Sequence, residues 1–460
     1  MDEGSDVMVL GILGIILAFA LLLFLTLKNW STIIVSILAV VVVAVFNQLN
    51  ITEAVADTYV NGVANIIIAL FMLILLGTIL GKLYTETGAA VSIADTFIKA
   101  FVDRTKGEKQ IRVACAVIII VSCLFQFGGI DSFIVMFTTF PIIVTMFRRL
   151  NLPRKYIPGM LLCSVGVGAC PGSPTVHNVL PAAILGTSSN AGAIPGIIAF
   201  FIIEVGAWFM ISHMIIGAVR KGEIFDEGQM NHVPKFDQNK QLPHFIVSLL
   251  PLILVFVLYS IVGANIVYAL SGGIILCIIL MGRNIKNNDM PDANIGAQIV
   301  ETISSGAVTS TKALVEISVI GGLAAVVAAT TTFGNLSSSL MALPIHPYLI
   351  VLIAVFILVA ITSSPPAGLS IIIPIFITSL IAQVGTVGIV ADASAVHRIC
   401  SIACLTFETL PWNGMIVVAL SMCNIKHKEG YLPMFLASVF FPTIAAVVAT
   451  LLLIAFPGLA

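Results

Sequence analysis

Windows of about 20 apolar residues recur from one end of this 460-residue chain to the other. Each is long enough, coiled as a helix, to cross a hydrocarbon core of roughly 30 Å. In lipid every backbone amide and carbonyl needs an internal partner, so such a chain folds as a polytopic bundle of helices. With only 9% charged residues, against roughly 25% in a typical soluble domain, and no basic tract, nothing suggests a nucleic-acid partner. The first run follows MDEGSD without a small-residue cleavage site, which predicts a first span rather than a signal peptide.

Uninterrupted spans are expected at about 7 to 27, 31 to 47, 63 to 83, 191 to 219, 244 to 263, 264 to 282, 317 to 333 and 431 to 457. Four other runs break in the middle. The runs 111 to 147 and 348 to 386 break at FGGIDS and SSPPAG and predict re-entrant helical hairpins. The runs 156 to 189 and 393 to 423 break at ACPGSPTVHN and ETLPWNG, and each predicts one crossing made of two half-helices.

Loop charge tests this scheme, because short cytoplasmic loops are enriched in Lys and Arg. Basic residues gather in DRTKGEKQIR, RRLNLPRK, the 220 to 240 loop, RNIK and NIKHKEG, while SSNAGA, VGAN, LPIHPY and VGTVGIVADAS have none. Every loop then falls on its expected side, with both termini outside.

The scheme also contains a repeat. Residues 1 to 219 and 244 to 460 each hold five crossings with a hairpin between the third and fourth, joined by a cytoplasmic linker at 220 to 243. An odd number of crossings inverts one unit relative to the other. Setting Pro171 against Pro411 aligns LPRKYIP with DASAVHR without gaps, and stretches holding Glu53 and Glu301 precede corresponding spans.

Broken helices present free N-H groups at membrane depth, where they attract anions. Candidate contacts to such a solute are Gly128, Gly129 and Ser132 at the first hairpin tip, and Ser173, Thr175 and Asn178 at the first break. Ser363, Ser364 and Gly368 at the second hairpin, and Thr409 and Asn413 at the second break, complete the set. Each hydroxyl or amide can instead cap its own half-helix. Ionisable residues at depth are functional candidates by default. Asp131, His177 and Glu408 flank the breaks and are candidates to carry a proton; Glu204 stands alone in the span 191 to 219. Asp131 can equally cap a helix, His177 satisfy a carbonyl and Glu408 pair with a basic residue. His397, Cys400 and Cys404 share a helix face but lack a fourth ligand, so neither a metal site nor a cofactor is expected. No GxSxG, HExxH or paired intramembrane aspartates point to an enzyme.

At these residues the chain resembles the gluconate:proton symporter family, and more closely its 3-hydroxybutyrate permease-like branch. The resemblance rests on FQFGGIDSFIVMFTTFPI, PGSPTVHNVLP, SSPPAGLSI, HRICSIACLTFETLPWNG and LSMCNIKHKEGYLPMF, and runs in order over essentially the whole chain. It implies an inner-membrane secondary transporter taking a small organic anion together with a cation, a proton in preference to sodium. Through the wider ion-transporter group it also implies a homodimer working as an elevator. Gluconate carriers have a histidine where this chain has Cys170, and a His and an Asp where it has LPWNG. With Trp412 and apolar surroundings, those differences point to a short, less hydroxylated monocarboxylate. A sodium-coupled symporter and an anion channel are the alternatives.

Overall fold

The computed structural model describes residues 3–28, 30–226, 242–285, 293–341, 345–362, 364–373, 392–411 and 413–460. Among these every regular element is helical, in the order α1 Glu3–Leu27, α2 Thr32–Phe46, α3 Ile51–Thr87, α4 Ala89–Phe97, α5 Gly107–Phe127 and α6 Ser132–Arg149. The broken run follows as α7 Ile157–Leu161 and α8 Val176–Leu185, then α9 Ala193–Arg220, α10 Phe245–Ile261, α11 Ile266–Asn284 and α12 Ile295–Ala328. The remainder is α13 Thr331–Met341, α14 Pro347–Thr362, α15 Pro365–Ile372, α16 Ala393–Ala403, α17 Gly414–Met422 and α18 His427–Ala455. Seven of these (α3, α5, α6, α9, α11, α12 and α18) are long and apolar enough to cross a membrane. The limbs of the first hairpin, 21 and 18 residues, span roughly 30 Å at about 1.5 Å per residue.

Two elements begin earlier than hydropathy suggests. Helix α3 starts at Ile51 rather than 63, and α12 runs from Ile295 to Ala328 rather than 317 to 333. Their first few turns expose Glu53 and Glu301 while burying Ala54, Gln298 and Thr302, so they are helical without being uniformly apolar. The stretches that sequence places before the spans are therefore part of them. For the same reason α4 and α13 were invisible to an apolar window.

Helices α3 and α12 pack along each other over much of their length. Small residues permit this: a Cβ on Gly62 would lie 2.6 Å from that of Ala325 and 2.9 Å from the Gly322 backbone. Helices α9 and α18 form the other long pair, and α16 packs against α8, α14 and α18.

Ion pairs collect the basic loops at one end. Arg149 meets Asp103 at 2.9 Å, Lys155 meets Glu223 at 2.6 Å and Arg220 meets Glu108 at 2.6 Å, while Arg154 donates to the carbonyl of Cys423 at 2.6 Å. The loops around 103, 150, 222 and 424 thus share a face, as their charge implied. A hairpin whose limbs cross fully returns to its starting side just as a re-entrant one does, so loop charge alone does not separate the two.

Candidate functional site

Four interruptions of the helices carry the sequence candidates. Between α5 and α6 the chain turns through Gly128 and Gly129. The latter has φ +80°, and a Cβ there would fall 2.5 Å from Leu270, so both conformation and space require glycine. Asp131 then caps α6, its Oδ1 accepting the Phe133 N-H at 2.9 Å. Between α7 and α8 the chain unwinds into a 3-10 turn, Val165–Ala169, and then a tight turn at Pro171–Gly172, closed by the Ser173 N-H on the Cys170 carbonyl at 3.2 Å, before Pro174 leads into α8. Between α16 and α17 it turns from Cys404 to Pro411.

Three ionisable side chains from three interruptions converge. His177, in the first turn of α8, places Nε2 3.2 Å from Glu408 Oε2, and both side chains are largely buried. Asp131 lies within electrostatic reach of both. The His177 Nδ1 is buried and has no hydrogen-bond partner. Gly168 packs against this ring, where a Cβ would come 3.2 Å from that of His177.

Beneath the cluster lies a polar clasp. Asn178 is fully buried; its amide donates to the carbonyls of Ser173 at 2.9 Å and Ser189 at 3.1 Å, and its Oδ1 sits 3.0 Å from His397 Nε2. The other His397 nitrogen meets the Thr187 hydroxyl at 2.6 Å. Arg398, also fully buried, donates to the carbonyl of Ala169 at 2.8 Å, twice to that of Ala191 at 2.8 and 2.6 Å, and to that of Ser189 at 3.2 Å. Two adjacent residues of α16 therefore hold both flanks of the first broken helix. Sequence reasoning weighed His397 only as a metal ligand and passed over Arg398, although a charge inside a membrane run was the signal.

The other candidates sit as follows. Ser173 and Thr175 join hydroxyls at 2.9 Å. Thr175 and Ser364, which precede α8 and α15, make no side-chain cap, and those two helices pack together. Ser132, at the start of α6, and Ser364 are half-buried. Gly128 packs on Leu252, and Gly368 on Val359 across the second hairpin. Thr409 is buried with its hydroxyl 2.6 Å from that of Ser438, and Asn413 caps α17 through the Met415 N-H at 2.7 Å. Ser363, Trp412 and the part of the second hairpin from 374 to 386 lie outside the described residues. Glu204 on α9 accepts the Gly166 N-H at 2.9 Å through Oε1, while its Oε2 is buried without a partner.

Long apolar helices interrupted around buried charged groups define a multi-pass membrane protein of transporter type, and its relatives are named accordingly. No family model matches the chain. It is 23% identical to a Bacillus subtilis (strain 168) protein named uncharacterized transporter YxjC, over 92% of this chain and 94% of that one. It is 29% identical over 147 residues, 31% of each chain, to the Gnt-II system L-idonate transporter of Escherichia coli (strain K12). Among solved structures, the Alcanivorax borkumensis YdaH transporter aligns with a TM-score of 0.46 at 14% identity, over 88% of this chain and 90% of that one.

Proposed function

We propose that this chain is a secondary active transporter that moves a small organic acid, as its anion, together with a proton. The observation that carries the proposal is the convergence of Asp131, His177 and Glu408 from three separate helix interruptions. Groups that titrate are expensive at membrane depth and are placed there for a charge-moving task. The name of the relative that handles L-idonate supports a hydroxylated carboxylic acid as cargo class. Within that class, Cys170 in the place where gluconate carriers have a histidine favours a short, less hydroxylated monocarboxylate.

The solute carboxylate is received at the uncapped start of α8, facing α15, where free N-H groups and the helix dipole favour an anion. Ser173, Thr175 and Ser364 supply hydroxyls, and the His177–Glu408 pair and Asp131 exchange the proton. The paired packing of α3 with α12 and of α9 with α18 supports an inverted repeat of 1 to 219 and 244 to 460. In this reading the broken helices and hairpins move as an elevator within a homodimer of the inner membrane, with both termini outside.

Purified protein in liposomes tests the proposal. Labelled monocarboxylate is expected to accumulate under an imposed pH gradient, inside alkaline. Equilibration without accumulation overturns symport in favour of a channel or another uncoupled path; full replacement of the pH gradient by a sodium gradient overturns the choice of cation.

A further inference from the structure

The carboxylate of Glu204 plays no part in the cluster above, yet among the described residues it holds one of the few buried side-chain oxygens without a hydrogen-bond partner. It is 6% exposed, in the middle of α9. One oxygen accepts the Gly166 N-H; the other is buried with no partner at hydrogen-bond geometry, and the Cys123 thiol is the one further weak donor beside the carboxyl. The groups that face it are all uncharged: Cys123 on α5, and Cys163 and Cys170 on the broken segment. From Leu436 to Ala455 α18 offers no titratable side chain, and Arg398 reaches α9 at Gly196, two turns away. A buried carboxylate without a cation or a full set of donors is too costly to remain charged.

Its position gives this a consequence. The five-residue turn Val165–Ala169 lies between Glu204 and the His177 cluster. Gly166 contacts the Glu204 oxygen, where a Cβ would come within 2.6 Å, and Gly168 contacts the His177 ring. One short, glycine-bearing segment touches both groups. Ionising Glu204 demands new donors or water at Oε2, and the turn whose Gly166 N-H already holds the other oxygen is non-α-helical backbone beside it.

We infer that Glu204 is a second proton-binding site of the transport cycle, loaded at Oε2 in the state seen here and emptied when Val165–Ala169 rearranges. One O-H bond forms on loading and breaks on release, and the proton passes to water on the opposite side. The inference rests on the proton-coupled reading above and goes beyond it by adding a proton to the stoichiometry.

Glu204→Gln tests it, because glutamine copies the neutral acid in shape and cannot release a proton. In liposomes with the membrane potential clamped at zero, each coupled proton multiplies the limiting accumulation ratio by about ten per pH unit. The variant is expected to exchange labelled monocarboxylate across the membrane at the wild-type rate while its accumulation ratio falls about tenfold at a gradient of about one unit. An unchanged ratio overturns the inference and leaves Glu204 a structural acid. Failure of the wild-type protein to accumulate at all would instead overturn the proton-coupled reading, and this inference with it. If the glutamine variant does not insert, a hydrophobic carbodiimide, which modifies buried protonated carboxyls, decides on the wild-type protein. Reaction at Glu204 that slows as pH rises supports the assignment, and resistance at every pH overturns it.

Discussion

Arg398→Met is the perturbation whose outcome the structure specifies most closely. The guanidinium makes four hydrogen bonds to three carbonyls, and the carbonyls of Ala169 and Ala191 depend on it. The Ser189 carbonyl keeps two other donors, the Gly172 N-H at 2.9 Å and the Asn178 amide at 3.1 Å. Methionine fills most of the volume but strands two buried acceptors, at about 1–3 kcal/mol each. Not having to bury a cation offsets part of this, leaving a net loss of about 2–3 kcal/mol concentrated in the turn around Cys170.

The local readout is Cys170 itself, since the other seven cysteines are buried and this one is half-buried. A loss of about 2–3 kcal/mol opens the turn roughly 30–150-fold more often. Maleimide labelling of Cys170 is expected to accelerate by that factor, and uptake to fall with it. Arg398→Lys keeps the charge with fewer, differently aimed donors, and should label at an intermediate rate. Labelling of the methionine variant within twofold of wild type would refute the clasp.

Gly62→Leu should separate α3 from α12, because the new side chain begins 2.6 Å from Ala325; a thermal melt in detergent should show loss of about 1–3 kcal/mol, with Gly334→Ala, where a Cβ meets open space, as the neutral control. Glu408→Gln should lower pH-driven accumulation by about tenfold per pH unit, the worth of one coupled proton, while leaving the protein folded, and persistence of wild-type accumulation would remove this carboxylate from the proton path. Ser260→Ala deletes the hydroxyl donated to the Gly172 carbonyl, a tie between α10 and the first broken helix. If that tie must break as the broken helix moves, maximal exchange should rise by about fivefold, the worth of roughly 1 kcal/mol; unchanged kinetics would mean the contact persists throughout transport.

Hydropathy sufficed to find the breaks, since glycine and proline write their effects on the backbone directly: FGGIDS, ACPGSPTVHN and the stretch leading to LPWNG all interrupt helices. It failed at α4 and at the starts of α3 and α12, where one helix face is buried by protein and the other is polar. The residue types at the site were legible, but their partners were not. Nothing in the letters around Thr409 reveals that Ser438, 29 residues on, takes its hydroxyl. Asn178 reads as a ligand contact until His397, from the other half of the chain, is seen to take its carbonyl oxygen. Side chains at breaks compete between capping, bracing and ligand, and tertiary contacts decide the contest. Asn413 went to a cap and Asn178 and Thr409 to bracing, Asp131 caps α6 through one oxygen only, and among the candidates at the breaks Thr175 and Ser364 precede helices that they leave uncapped.

The arrangement of charge explains why a proton would accompany an anion. In the proposed site a solute carboxylate at the start of α8 would arrive beside Asp131 and Glu408, against which His177 offers one positive charge at most. Arg398 adds a fixed positive field from below but is fully buried and engaged with carbonyls, so it cannot touch the solute. Three carboxylates around one imidazole repel one another strongly at low dielectric. Protonating Asp131 or Glu408 removes that repulsion, so proton and anion each favour the binding of the other by the same factor. The sign follows: anion binding takes up a proton, so affinity rises as pH falls. Each proton taken up sharpens Kd by at most about tenfold per pH unit. Titrating a labelled monocarboxylate onto the detergent-purified protein between acid and alkaline buffer should show this slope, and Glu408→Gln should flatten it. A Kd independent of pH in the wild-type protein would refute the electrostatic coupling even if transport itself were confirmed.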